Sequence, residues 1–355
     1  MLSKKSAIAR SGSMRKVLAE EVLSDIYFDN ISVEARELAQ RYGYLPYMVQ
    51  RYIDMLGIEE AKELLQTFEE LRPYPVIRCN YLKIDCEELV RELNAMGFDL
   101  EPLEWCDYCY RVVSQPSSPT IGATHQYFKG YYFVYRDASP TIPPIVQAPK
   151  AGDIVLDMCA APGGKATHLL QLMEDRGLLV ANDKALSRIP ALLSHLYRMG
   201  FKSFIVINDD GRNLPRYLAS TFDSVLVDAP CSAEGGIMFD PSRKTRTSIN
   251  DLAKLVAREI ELLAAGIELA KPGGVVVYST CSIAPEENEY VIARILEMYR
   301  GIVRVERIDI PGSWSPGLKQ FRNLEFPHDV TNCIRIWPHR HHMEGFFVCK
   351  LRKIV

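Results

Sequence analysis

The stretch DIVLDMCAAPGGKATHLLQLME, residues 153–174, joins an apolar run to an amphipathic run through a glycine-rich loop. The first six residues are typical of a buried strand, and the residues after Gly164 have apolar positions at helical spacing. Pro162, Gly163 and Gly164 lie between the two runs, and glycine lets the backbone approach a neighbouring group closely. A strand, a tight loop and a helix in this order predict the first unit of a parallel α/β sheet.

The same alternation continues from Lys150 almost to the end of the chain. The strand-like runs are apolar nearly throughout, which is typical of strands that are covered on both faces. The sequence therefore predicts a Rossmann-like, doubly wound α/β domain with helices on both sides of the sheet. Ligands of such sheets lie at the carboxyl ends of the strands. Those ends carry the following polar residues: Asp157, Asp183, Asp210, Asp228 and Cys281.

The part of the chain before this domain has a different organisation. Residues 14–71 carry apolar side chains at three- and four-residue spacing, which predicts helices, and Ser32 is placed to cap one of them. RPYP at 72–75 ends the helical pattern. We expect three parts: a helical segment at 1–72, a small module at 73–137 and the doubly wound α/β domain at 138–355.

The small module combines strand-like runs with one amphipathic helix, which predicts an α+β unit of the RNA-recognition-motif type. It is rich in aromatic residues near its end. These side chains are suited either to stacking on bases or to filling the core of the module. The aromatic residues are Tyr127, Phe128, Tyr131, Tyr132, Phe133 and Tyr135.

Composition sets limits on the class of protein. Of the 355 residues, 48% are hydrophobic and 25% are charged, as in ordinary globular proteins. We find no apolar run long enough to cross a membrane and no secretory signal, and we expect a cytoplasmic protein. The net charge of −3 does not favour nucleic-acid binding by overall charge, but it does not exclude a local basic groove that binds nucleic acid.

The nine cysteines are spread along the chain, and an odd count of this kind does not resemble a disulfide scaffold. We therefore expect unpaired cysteines in a reducing compartment. The single CDYC pair, Cys106 and Cys109, is weak evidence for zinc because no second pair or histidine accompanies it, and we expect no metal site.

The loop after the first strand is neither a phosphate-binding G-x-x-x-x-G-K-[ST] loop nor a dinucleotide-binding G-x-G-x-x-G loop. Asp183 has the spacing of an acid that binds a ribose diol. Asp210 is placed to accept from the amine of an adenine. These acids would repel a triphosphate, whereas a cationic adenosine compound suits them, and S-adenosylmethionine is such a compound. The alternative is that the acids only cap loops and form turns.

Two cysteines also stand at strand ends. Cys231 follows Asp228-Ala-Pro, and Cys281 ends the run VVVYSTC. If the two strands are neighbours, both thiols face the cofactor loop. Taken singly, such a cysteine is often a small buried apolar side chain, but two of them beside a cofactor loop favour chemistry.

DMCAAPGGKATHL, DAPCSAEG and YSTCSIAPEENE resemble the motifs of the Sun/NSUN family of RNA cytosine-5 methyltransferases. IRCNYLKI and PHRHHMEGFFVCKL are similar to two further family segments, and the resemblance covers residues 40–355. It implies an S-adenosylmethionine-dependent Rossmann-like domain behind an RNA-recognition-like module. YRDASPTIPP departs from the family pattern, although Asp137 and Ser139 are retained, and no PUA-type module interrupts the chain.

The resemblance also implies roles. Cys281 would add to C6 of cytosine, which activates C5, and Cys231 would help to release the product. Asp228 would contact the N3/N4 edge of the base, and Lys165 would favour the thiolate. The reverse assignment, with Cys231 as nucleophile, is the arrangement of DNA cytosine-5 methyltransferases and stays an alternative.

The cofactor-binding residues carried over from the family are Cys159, Ala160, Ala161, Pro162, Gly163, Gly164, Lys165, Asp183, Arg188, Asp210 and Asp228. A flipped base also needs a surface that grips the strand. The candidate RNA-binding residues are Arg243, Lys244, Arg246 and His339. The partner is expected to be transfer or ribosomal RNA and the protein a monomer. The alternatives are a methyltransferase that acts on DNA or protein and a catalytically silent RNA-binding assembly factor.

Overall fold

The computed structural model describes residues 12–355, with side chains from residue 16 onward. The helices are α1 Gly12–Ile26, α2 Val33–Tyr42, α3 Pro46–Leu56, α4 Ile58–Glu70, α5 Cys86–Ala95, α6 His125–Phe128, α7 Ile142–Gln147, α8 Gly164–Leu172, α9 Ile189–Met199, α10 Pro215–Leu218, α11 Arg243–Arg246, α12 Ile249–Leu269, α13 Glu289–Met298 and α14 Pro338–His341. Within these residues no helix is long and apolar enough to cross a membrane.

The strands form three sheets. They are β1 Val76–Cys79, β2 Asp99–Leu103, β3 Cys106–Ser114, β4 Tyr132–Tyr135, β5 Ile154–Asp157, β6 Leu178–Asn182, β7 Phe204–Ile207, β8 Phe222–Asp228, β9 Ala270–Thr280, β10 Val303–Glu306, β11 Ser315–Pro316, β12 Gln320–Phe321, β13 Leu324–Glu325, β14 Ile334–Ile336 and β15 Phe346–Lys353.

Three of the N-terminal helices begin or end at the residues that their sequence suggests. The Ser32 hydroxyl accepts from the Ala35 N–H at 3.1 Å, so the predicted N-cap of α2 is confirmed. Gly57, with φ of 79°, separates α3 from α4. The apolar faces of these helices share a core with Trp337 and Ile283 from the C-terminal part of the chain. The helical segment is therefore packed against the part of the chain that carries Cys281.

The small module is an antiparallel sheet in the order β2-β3-β1-β4. With α5 between β1 and β2, this is the strand order of an RNA-recognition motif, but its second helix is reduced to the four residues of α6. The sequence pattern did not reveal β2, because most of its side chains are exposed and it contains Pro102. One face of the sheet packs on Leu89 and Leu93 of α5.

The other face of the module's sheet packs on α8 of the catalytic domain. Phe133 and Tyr135 are buried there, and a Cβ added to Gly164 would lie 2.9 Å from a Tyr135 ring carbon. Tyr132 is buried on the α5 side. The core alternative therefore holds for these three aromatic residues, and base stacking does not. Phe128 is exposed.

The large sheet has the order β11-β14-β15-β9-β8-β5-β6-β7, and β10 pairs with β15. The run from β9 to β7 is parallel, and β15 joins β9 in an antiparallel pairing. The Rossmann-like fold predicted from the alternating pattern is confirmed. The order places the ends of β9, β8 and β5 side by side, so that Cys281, Asp228 and Asp157 share one edge.

Six cysteines are paired, and the expectation of unpaired cysteines is wrong for them. The disulfides are Cys79–Cys86, Cys106–Cys109 and Cys333–Cys349. The pattern did not show the last pair, because Cys333 reaches Cys349 only through the β14–β15 pairing. The free cysteines are Cys159, Cys231 and Cys281, and all three belong to the predicted site.

Candidate active site

The two cysteines predicted from the strand ends lie in contact. β8 and β9 are parallel neighbours with Asp228 opposite Ser279, and the Sγ atoms of Cys231 and Cys281 are 3.5 Å apart. The Gly235 N–H donates to the Cys281 carbonyl at 3.0 Å, which joins the two loops directly. Hydrogen bonding with Cys281 and burial raise the pKa of the Cys231 thiol well above its usual value. The geometry places a protonated thiol beside a second thiol.

Asp228 and Lys165 form an ion pair beside these cysteines. Lys165 Nζ donates to Asp228 Oδ2 at 2.8 Å, and the Ser279 hydroxyl donates to Asp228 Oδ1 at 2.7 Å. Burial lowers the pKa of Lys165, but the Asp228 carboxylate outweighs burial and the net shift is upward. The side chain is therefore a fixed cation at neutral pH, and its field favours a nearby thiolate.

The glycine-rich loop after β5 is held by the end of β6. The Ala160 N–H donates to the Asn182 carbonyl at 2.7 Å, and the Ala161 N–H donates to Asp183 Oδ2 at 3.1 Å. Arg188 donates to the same carboxylate at 3.1 Å and also to the Ala161 carbonyl. Gly163 then starts α8 with φ of 113°, a conformation that favours glycine. The predicted cofactor residues from Cys159 to Lys165 thus form one ordered turn.

Asp210 follows β7 and is held by two cations. Arg212 donates to its Oδ2 at 2.6 Å, and Lys184 lies 3.0 Å from the same oxygen. Burial raises the pKa of Asp210, but these two side chains outweigh it and hold the pKa well below its usual value. Asp210 is therefore ionised. It follows β7, the neighbour of the strand β6 that Asp183 follows, as the adenosine hypothesis requires.

Asp157 is the residue that tests whether a cationic ligand suits this site. It is fully buried at the end of β5, where the Cys159 backbone N–H is its hydrogen-bond donor, and no side chain among the described residues donates to either oxygen. Burial, and then the nearby Asp228 carboxylate, raise the pKa of Asp157 to about 7, although Lys165 opposes them. A buried carboxyl with so few donors favours a positive charge beside it. The residues present therefore fit S-adenosylmethionine, which carries a sulfonium.

Sequence reasoning missed the residue that holds the two cysteine loops together. Glu287 accepts from the Ser232 N–H at 2.7 Å and from its hydroxyl at 2.6 Å, and the Ser282 hydroxyl donates to the same carboxylate at 2.5 Å. Each serine directly follows one of the cysteines. Two signals in the sequence could have suggested this role for Glu287: a serine follows each cysteine, and Glu287 belongs to the same motif as Cys281. The sequence does not show that the acid binds both serines, because this depends on the contact between the two loops.

The candidate RNA-binding residues are mostly engaged within the protein. Arg243 donates to the Ser232 carbonyl at 3.0 Å and to Asp240 at 2.9 Å. Lys244 binds the Tyr42 carbonyl and Glu69, and His339 contacts Glu60 at 2.9 Å. Arg246 is exposed. Of these four, Arg246 has the most accessible side chain for an RNA strand.

The segment YRDASPTIPP, which departs from the family pattern, has a structural role. Asp137 accepts from the Ser139 N–H at 2.8 Å and the Ser139 hydroxyl at 2.6 Å, and its other oxygen accepts from the Glu344 N–H at 3.1 Å. These bonds attach the start of the domain to the loop before β15. Among the residues from 12 onward, no cluster of histidine, cysteine and acidic side chains is arranged to hold a metal ion.

The parallel sheet, the glycine-rich loop and the strand-end acids define a Rossmann-like domain of the methyltransferase type. Residues 144–352 match the family model described as 16S rRNA methyltransferase RsmB/F, and residues 45–135 match the N-terminal domain of 16S rRNA methyltransferase RsmF. The chain belongs to the RsmB/F methyltransferase family.

Curated relatives and a solved structure agree with this assignment. The chain is 35% identical over 322 residues to the human 28S rRNA (cytosine(4447)-C(5))-methyltransferase, covering 90% of this chain and 39% of that protein. It is 36% identical over 323 residues to the Schizosaccharomyces pombe 25S rRNA (cytosine-C(5))-methyltransferase nop2, covering 90% and 52%. It thus spans about half or less of these relatives. A methyltransferase homolog protein from Pyrococcus horikoshii superposes with a TM-score of 0.81 at 32% identity, covering 91% of this chain and 100% of that one.

Proposed function

We propose that this chain is an S-adenosylmethionine-dependent RNA cytosine-C5 methyltransferase. The observation that carries the proposal is the 3.5 Å contact between the Cys231 and Cys281 sulfurs, beside the Lys165–Asp228 pair. C5 of cytosine is a poor nucleophile until a thiolate has added to C6. An adduct formed in this way must later be broken. A site with two thiols at one point provides one group for each step.

Four residues carry out the proposed reaction: Cys281, Asp228, Lys165 and Cys231. Cys281 adds to C6 of the flipped cytosine, and C5 then takes up the methyl group. Asp228 holds the N3/N4 edge of the base, and Lys165 orients the Asp228 carboxylate through a 2.8 Å hydrogen bond. Solvent water accepts the proton from C5, the C5=C6 double bond re-forms, and the bond between C6 and Cys281 breaks. Cys281 leaves as a thiolate, which Cys231 protonates. The high pKa of Cys231 keeps its proton available near the leaving sulfur.

S-adenosylmethionine supplies the transferable methyl group when it is bound. The loop from Cys159 to Lys165 would hold its methionine part, and Asp183 with Arg188 would bind the ribose edge. Asp210 would accept from the adenine amine. Asp157 would face the positive charge of the cofactor, because no side chain among the described residues donates to its buried oxygens.

Ribosomal RNA is the substrate class that we infer, with transfer RNA as the second candidate. The names of the human and fission-yeast relatives specify large-subunit ribosomal RNA. Arg246 would contact the RNA strand beside the flipped base. Arg243, Lys244 and His339 would join it once their hydrogen bonds within the protein have rearranged. We further propose a cytoplasmic monomer and a division into the three parts 1–72, 73–137 and 138–355.

A methyl-transfer assay tests the proposal. The protein is incubated with tritiated S-adenosylmethionine and, separately, with ribosomal RNA, transfer RNA and DNA. We expect label in RNA, recovered as 5-methylcytosine after nuclease digestion. Label in DNA alone would favour the DNA-methyltransferase alternative. No label in any nucleic acid, although the RNA binds, would favour the silent assembly factor.

A further inference from the structure

The two loops that carry the cysteines, residues 229–240 and 281–288, are held by a side chain from outside the catalytic domain. That side chain is Arg51 of α3, which is fully buried. Its guanidinium forms an ion pair with Glu234 and lies 3.4 Å from Glu286. Glu234 follows Cys231 by three residues, and Glu286 follows Cys281 by five. One cation therefore binds one carboxylate from each loop.

The neighbouring contacts strengthen this bridge. The Tyr52 hydroxyl of the same helix donates to Glu234 Oε1 at 2.7 Å. The Glu234 N–H donates to Ser232 Oγ at 3.3 Å, and Ser232 binds Glu287. The bridge from α3 thus continues through hydrogen bonds to the residue after Cys231. The guanidinium fork suits this task because it offers separate N–H groups to two carboxylates.

Charge explains why the loops depend on Arg51. Burial lowers the pKa of Arg51, but Glu234 and Glu286 outweigh it and the net shift is strongly upward. Both carboxylates are buried and face each other across the guanidinium. Without this cation, each acid would have to take up a proton or move toward solvent, since an uncompensated buried charge is costly. Either response removes the bridge from α3 and leaves Glu287 and the Gly235–Cys281 hydrogen bond to join the two loops.

We propose that Arg51 is a positioning residue for the two-thiol site: it sets the distance between Cys231 and Cys281. The proposal rests on the proposed function for its effect on turnover but not for its effect on the cysteine distance. Arg51→Met should move Cys231 away from the Cys281 adduct. Release then slows more than attack, and the covalent RNA complex accumulates even though both thiols are present.

The first measurement needs no RNA. Ligand-free protein is treated with diamide, and the Cys231–Cys281 disulfide is followed by mass spectrometry. We expect Arg51→Met to form this disulfide about tenfold more slowly than the unsubstituted protein, because a displacement of about 1 Å is enough to disrupt a reactive geometry. Leu64→Ala is the matched control, because Leu64 is an apolar residue buried in the same helical core. It should lower the melting temperature and leave the disulfide rate unchanged.

The second measurement uses turnover with RNA. Arg51→Met should lower kcat and raise the fraction of RNA trapped on denaturing gels, with the KM for the cofactor unchanged. Adding Glu234→Gln and Glu286→Gln to Arg51→Met removes the facing charges and should restore part of the disulfide rate and of kcat. Unchanged disulfide formation in Arg51→Met, or an equal loss in Leu64→Ala, overturns the positioning role. Slowed disulfide formation without any methyl transfer in the unsubstituted protein upholds it and contradicts the proposed function instead.

Discussion

The sulfur atoms of Cys231 and Cys281 lie 3.5 Å apart, although 50 residues separate them in the chain. Each follows a strand of the parallel sheet, and the strands are hydrogen-bonded neighbours. The contact allows a proton to pass between the thiols, which a two-thiol mechanism requires. Substituting each cysteine in turn separates the attack proposed for Cys281 from the release proposed for Cys231.

The first prediction separates attack from release. Cys231→Ala should accumulate a covalent RNA–protein complex, because Cys281 still attacks C6 and the adduct is not resolved. Cys281→Ala should form no complex. A denaturing gel with labelled RNA measures both outcomes. The double variant is the control and should show no complex; a complex with Cys281→Ala alone would reverse the assigned roles.

The second prediction concerns Asp228, which lies between Lys165 and Ser279. Asp228→Asn keeps the shape of the side chain but removes the charge that orients Lys165 and the base. We expect kcat to fall by about 10²-fold or more, as for loss of a group that acts in proton transfer or charge stabilisation. Methyl transfer at saturating RNA measures this change.

Asp223 offers a matched control on the same strand. It is also paired with a lysine, Lys271, at 2.6 Å, but it lies at the opposite end of β8. Asp223→Asn should keep kcat within about twofold, because surface ion pairs contribute little. Equal losses in the two variants would mean that Asp228 acts only through the fold.

The third prediction follows from Asp157, whose pKa burial and Asp228 raise to about 7. A group with a raised pKa in the folded state binds more protons when folded than when unfolded. Its contribution to stability is therefore fully present below about pH 4 and is lost as pH rises through about 7. We expect the free energy of unfolding of the ligand-free protein to fall by a few kcal/mol across this range, on the order given by the shift.

Asp157→Asn removes this titration and should flatten the pH dependence of the melting temperature between pH 5 and about 8. Glu344 is the internal reference, since burial also raises its pKa to about 7 and it remains in the variant. The slope should therefore decrease without disappearing. A variant with the full slope would show that Asp157 stays ionised throughout.

Local patterns were sufficient for the alternating strands and helices of the large sheet, because each strand and each helix depends on residues close together in sequence. The link from Arg51 to Glu234 spans 183 residues, and nothing near Arg51 distinguishes it from a surface arginine of an amphipathic helix. Cys333 and Cys349 were missed for the same reason. Their pairing is a consequence of the antiparallel β14–β15 register, which the apolar pattern of the strands does not specify.

The last prediction concerns Arg78, which fastens the small module to the catalytic domain. It donates to the Tyr135 hydroxyl at 2.6 Å, to the Gly164 carbonyl at 3.0 Å and to Thr167 Oγ1 at 2.9 Å. Arg78→Met removes these donors and should lower stability by about 2 kcal/mol, because buried acceptors lose their partner. Thermal denaturation measures the change.

Arg91 provides the control for Arg78, since it belongs to the same module and its side chain is 70% exposed. Arg91→Met should leave the melting temperature almost unchanged. If Arg78→Met instead weakened RNA binding without lowering the melting temperature, the sheet face that carries Arg78 would be an RNA surface. Because that face is buried against α8, we expect the loss in stability and no separate loss in RNA affinity.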